Sequence, residues 1–80
     1  MALRAIGKWY RLHNNIRASV FDSGATILIR DDAAEFFDAE GNLNSTTDAY
    51  AWLWADIGQP FNVREYIQQH GRPFGTIWGE

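Results

Sequence analysis

Asn15-Ile16-Arg17-Ala18-Ser19-Val20-Phe21-Asp22-Ser23-Gly24-Ala25-Thr26-Ile27-Leu28-Ile29-Arg30-Asp31-Asp32 reads as two strands joined by a tight turn, and the fold follows from it. Ser23-Gly24 is the turn signal, with glycine supplying the positive φ that a two-residue loop needs. With those two residues as the loop, Val20 faces Ile27 and Ala18 faces Ile29 on one side. Arg17, Ser19, Phe21, Thr26, Leu28 and Arg30 take the other. The first side is a core side. The second carries two large apolar residues and sets Arg17 directly opposite Arg30, where like charges repel unless an acid is near. Asp32 has the same parity and can serve, as can a partner's carboxylate or a nucleic-acid phosphate. That side is the candidate docking surface. The plain alternative is a helix over Leu28, with Phe21 a scattered surface apolar residue.

A chain of 80 residues makes one domain, residues 1–80, with one core. It has no Cys, which excludes disulfides, thiolate nucleophiles and Cys-ligated zinc. Four Trp, five Phe and three Tyr supply the large buried areas that a small fold needs. No apolar run is long enough to cross a bilayer, and charges interrupt the N-terminal segment where a signal peptide would be apolar. A soluble, cytoplasmic chain is expected. The net charge of −3 is unevenly spread. Residues 1–30 carry Arg4, Lys8, Arg11, Arg17 and Arg30 against Asp22, five minus one, or +4. Residues 31–80 carry two arginines against nine acids, or −7. Such polarity steers partners or is neutralised within the fold.

Leu3 to Leu12 leans towards strand because Gly7 disfavours a helix, and His13-Asn14-Asn15 is turn chemistry. Ala33 to Phe37 reads as a short strand, with Asp38-Ala39-Glu40-Gly41-Asn42 turning the chain towards Leu43. Ser45 reads as the cap of a helix carrying Tyr50, Leu53, Trp54 and Ile57 at helical spacing and stopped by Gly58. Asn62-Val63-Arg64-Glu65 repeats the cap logic for a shorter helix ending at Gly71. Arg72 to Trp78 is an edge strand or a packed tail, since Pro73 argues against a central strand. This order predicts an α+β fold: an antiparallel sheet of about four strands with two helices packed on one face, leaving the other face open.

Catalytic signals are weak. Ser19 or Ser23 with His13 and an acid is a formal triad that nothing local assembles, and His70 suits a helix C-terminus. Asp38, Glu40, Asn42 and Asn44 alternate as in a calcium loop, but the glycine spacing and the terminal Glu are wrong. No metal, cofactor or phosphate-loop pattern occurs. The basic N-terminal third, with Trp9, Tyr10 and Phe21, suits nucleic acid, whereas Asp31, Asp32, Glu35, Asp38 and Glu40 suit a basic protein.

The run Asn15 to Gly24, followed by Ser45-Thr46, Trp52 and Gly58, resembles the small type I-F anti-CRISPR proteins. The resemblance spans roughly Asn15 to Gly58. It implies a phage or mobile-element protein whose antiparallel sheet is backed by two helices. Such a protein binds the backbone subunits of a type I CRISPR surveillance complex and blocks target DNA recognition. The family's interface tyrosine falls on Phe21, without the hydroxyl, and its interface glutamate on Asp32, one methylene shorter. Tyr10 or Trp9 takes the place of a further aromatic.

The expectation is therefore a non-enzymatic, monomeric inhibitor in the infected bacterial host, without membrane or free nucleic-acid binding. Phe21 and Leu28 would anchor it, Trp9 or Tyr10 would add a rim aromatic, and Arg17, Arg30 and Asp32 would set charge register. The alternative is a small nucleic-acid-binding accessory protein using the basic N-terminal third.

Overall fold

The turn after Phe21 holds three residues rather than the expected two. In the computed structural model, which describes residues 3–46, 57 and 62–79, the Phe21 N–H donates to the Ala25 carbonyl (2.9 Å) and the Gly24 N–H donates to the Phe21 carbonyl (2.9 Å). Asp22, Ser23 and Gly24 thus form the loop, and Gly24 occupies a φ of 99°, as the left-handed position of a three-residue hairpin loop requires. The extra residue slides one strand past the other by one position. Val20 pairs with Thr26, Ser19 with Ile27, Ala18 with Leu28, and Arg17 with Ile29. Because side chains alternate, every residue of the second strand faces the side opposite to the one expected.

The strands are β1 (Arg4–Arg11), β2 (Arg17–Phe21), β3 (Thr26–Arg30), β4 (Ala33–Phe37), β5 (Leu43–Thr46) and β6 (Arg72–Gly79), with one described helix, α1 (Val63–His70). They form a single six-stranded sheet in the order β5-β4-β3-β2-β1-β6, antiparallel throughout. The first five strands meander, and β6 returns from the helix to pair with β1. This corrects the expected sheet of about four strands under two helices: the described part is mostly β, with a helix of eight residues.

Turn chemistry sits where the backbone needs it. Asn14, Asn15 and Asp31 have φ of 58°, 59° and 53°, a region that short polar side chains tolerate best among non-glycine residues. Asp38 organises the β4–β5 loop, its carboxylate accepting from the N–H groups of Glu40 (3.0 Å) and Asn42 (2.9 Å). That is a turn rather than a cation loop, and no metal-holding cluster occurs among the described residues.

Ser45, expected as a helix cap, lies in β5. The remainder of that expected helix, including Trp52, falls outside the described residues, except for Ile57, which is helical and packs against the core. The expected second helix is α1. Its cap Asn62 accepts from the Glu65 N–H at 2.9 Å, satisfying one of the free donors of the first turn. Asn62→Ala is expected to cost about 1 kcal/mol. A urea midpoint unchanged from the parent would show the cap to be dispensable.

The core lies between α1 and one face of the sheet. Val63 and Ile67 of the helix meet Ala18, Val20, Leu28 and Phe37, with Leu12 and Ile16 closing the end, all buried. Glu35 is buried on the same face, beside Leu28. Among the described residues no buried side-chain polar atom lacks a partner, and no helix is long and apolar enough to cross a membrane.

Candidate functional site

The sheet face turned away from α1 is built from the alternate residues of each strand, and the pairing registers array them in rows. One row runs Arg72, Arg11, Arg17, Ile29, Ala34 across β6, β1, β2, β3 and β4. The next runs Gly75, Trp9, Ser19, Ile27, Phe36, Ser45. A third sets Ile77 and Phe21 on either side of Gly7. Trp9, Phe21, Ile27, Ile29, Phe36 and Ile77 are all only partly buried. Among the described residues α1 covers the β2–β4 part of the other face, over Ala18, Val20, Leu28 and Phe37, and leaves Lys8, Thr76 and Trp78 exposed at its β1–β6 end. On the face turned away from α1 the apolar groups form a contiguous half-wet surface, the kind that marks an interaction site. Ser19 is covered although it lies on this face (2 % exposed), because the larger Trp9 and Ile27 flank it on both neighbouring strands.

At the β6 edge the surface becomes aromatic and cationic. A bulge in the β1–β6 pairing between Trp9 and Tyr10 leaves Phe74 47 % exposed. Its ring centroid lies 6.2 Å from that of Trp9, and the Arg11 guanidinium stands 4.8 Å above it, within cation–π range. Trp9 lies across Gly75, where a Cβ would meet the indole at an ordinary contact distance of 3.6 Å.

The expected docking residues divide between the two faces. Phe21, Trp9 and Arg17 share the open face. Phe21 stands at its corner, beside a shallow cleft lined by Arg4, Ile6, Asp22 and Ser23. Leu28 is fully buried and therefore unavailable to a partner, a direct consequence of the one-residue register shift. Arg30 and Thr26 moved to the helix side with it; Arg30 pairs with Ala33 and not with Arg17. Tyr10 also points to the helix side and packs against the core, which leaves Trp9 as the aromatic of the open face. Asp32 occupies the two-residue β3–β4 turn, exposed at the end of the sheet rather than on its face.

Glu35 drops out of the proposed acidic stretch because it is buried. His13 and His70 flank Tyr66, with ring separations of 6.4 Å and 4.6 Å, forming an aromatic stack at the end of α1. Ser19, on the opposite face, is remote in register from that stack. Sequence reading missed Ile27, Ile29, Phe36, Phe74 and Arg72 as surface candidates. The alternation of Ile27 and Ile29 was legible, but its side depended on the loop length.

No family model, curated protein or solved structure matches the chain.

Proposed function

We propose that this chain is a non-enzymatic inhibitor of the type I anti-CRISPR kind, docking its open sheet face on a backbone subunit of a surveillance complex and so blocking target DNA recognition in the cytoplasm of an infected bacterial host. The observation that carries the reading is the continuity of Phe21 with Trp9, Ile27 and Phe36 on one partly exposed face. Aromatic anchors of this type dominate binding energy when a partner desolvates them. Phe21 is also the residue on which the resemblance puts the family's interface aromatic. In the docked state Ile27 and Phe36 form the dry centre, Phe21 anchors one end of the face, and Arg17 lies on the rim, where charge sets orientation and on-rate more than affinity. Asp32, at the end of the sheet, contributes at most a rim contact.

Phe21→Ala is expected to weaken binding to a purified type I surveillance complex by about 1–3 kcal/mol in a calorimetric titration, with an unchanged circular dichroism spectrum. Full affinity in the variant would remove Phe21 from the interface and the reading with it.

A further inference from the structure

We infer that the arginine row Arg72–Arg11–Arg17, together with Phe74 and Trp9 beside it, is a binding site for single-stranded nucleic acid, with phosphates on the arginines and bases on the rings. The inference goes beyond the inhibitor reading. It departs from the expectation of no free nucleic-acid binding, and because it shares Trp9 and Arg17 with the docking face, an oligonucleotide and a docked protein would compete for that end of the sheet.

Charge distribution is the first support. Strands β2, β1 and β6 contain Arg4, Lys8, Arg11, Arg17 and Arg72, five of the seven basic residues in the chain, and no acid. The acids of the described residues lie in the loops, β4 and α1; Asp31 and Asp32 are at the same end of the sheet as the row but in the turn beyond β3. Overall acidity therefore hides a basic half-sheet.

Arrangement is the second support. Arg11 is directly opposite Arg17 on one side and Arg72 on the other, and all three are exposed. Like charges in directly opposed positions destabilise a sheet, and a ligand with several linked negative charges relieves that repulsion. Neighbouring strands lie about 4.8 Å apart, so the row spans about 10 Å. Phosphates follow one another at about 3.4 Å of rise in a duplex strand, and an extended strand spaces them more widely, so two or three reach the row. Guanidinium forks match phosphate oxygens in geometry as well as charge.

The rings decide between ligand classes. Phe74 is nearly half exposed, Trp9 lies 6.2 Å from it, and Arg11 caps the Phe74 ring at 4.8 Å. Exposed rings interleaved with arginines are what unstacked bases use. A duplex keeps its bases stacked inside and has no use for the rings, whereas a poly-glutamate chain offers carboxylates to the arginines and nothing to stack on the rings.

The test is fluorescence anisotropy of labelled oligothymidylate and oligouridylate with the full chain, alongside a blunt duplex and a poly-glutamate competitor. Single strands are expected to bind more tightly than the duplex, with log affinity falling against log salt at a slope of about −2 for three phosphates. The Arg17→Ala/Arg72→Ala double variant should flatten that slope to about −0.7. Phe74→Ala should weaken binding by about fivefold or more without changing the slope. Phe21→Ala should leave oligonucleotide affinity unchanged, which separates this site from the protein-docking anchor. Three outcomes overturn the inference: no single-strand binding at low salt, a slope indifferent to the double variant, or poly-glutamate competing as well as unlabelled oligonucleotide. The last would reassign the row to an acidic protein surface.

Discussion

Leu28→Ala is expected to destabilise the fold by about 2–5 kcal/mol, the range for deleting a buried leucine side chain. Leu28 has no exposed surface and packs in one cluster with Ala18, Phe37, Val63 and Ile67. Neighbouring strands hold it in place, Ala18 on β2 and Glu35 on β4, so the site has little freedom to collapse around a cavity. A single core of this size rarely supplies more than about 3–5 kcal/mol, so the variant should lose most of its stability margin. Leu28→Met conserves volume and should cost less than about 1.5 kcal/mol, which keeps the comparison measurable. Urea denaturation followed by circular dichroism reads both. A parental midpoint in Leu28→Ala, with weakened partner binding, would mean that Leu28 faces outward and that the three-residue loop is wrong.

Gly7→Ala comes next in size, and its cause is backbone rather than core. A Cβ at Gly7 would stand 2.6 Å from the Val20 carbonyl oxygen and 2.9 Å from the Phe21 Cα. Neither atom belongs to a side chain that can swing away. Relief requires β1 and β2 to part where Gly7 pairs with Phe21, so the cost should reach the upper end of overpacking, about 3 kcal/mol. Gly75→Ala is the internal control. Its Cβ would meet Trp9 at 3.6–3.9 Å, ordinary contact distance, and the substitution should be neutral or stabilising by up to about 1 kcal/mol. Equal urea midpoints for the two variants would contradict the tight approach of β1 to β2. Because Gly7 lies between Phe21 and Ile77 on the open face, its substitution should also disturb docking, as a consequence of the distorted strand pair.

Several elements were legible from local chemistry. The strand at Leu3 to Leu12, the strand Ala33–Phe37 with its Asp38 turn, the helix capped by Asn62, and the edge position of the Pro73 segment each rest on residues that act within a few positions of themselves. Other features were hidden for physical reasons. Ser45-Thr46 offers both a helix cap and a β-compatible pair, and pairing of Glu35 with Thr46 and Phe36 with Ser45 resolved the choice in favour of strand. The Asp22-Ser23-Gly24 loop accommodates a two- or a three-residue turn, and hydrogen bonding from Phe21 to Ala25 selected the longer one. That single residue exchanged Leu28 and Arg30 for Ile27 and Ile29 on the open face.

By itself, the sequence determined which segments alternate, where the chain turns, how α1 begins, and that basic residues crowd the N-terminal third, because each of these is set by neighbours along the chain. Tertiary structure alone decided which face each β3 residue presents and that Arg72 and Phe74, from near the C-terminus, join Arg11 and Trp9. Strand register and the pairing of distant segments depend on hydrogen bonds across the sheet and on which side the helix covers, and local patterning carries no record of either.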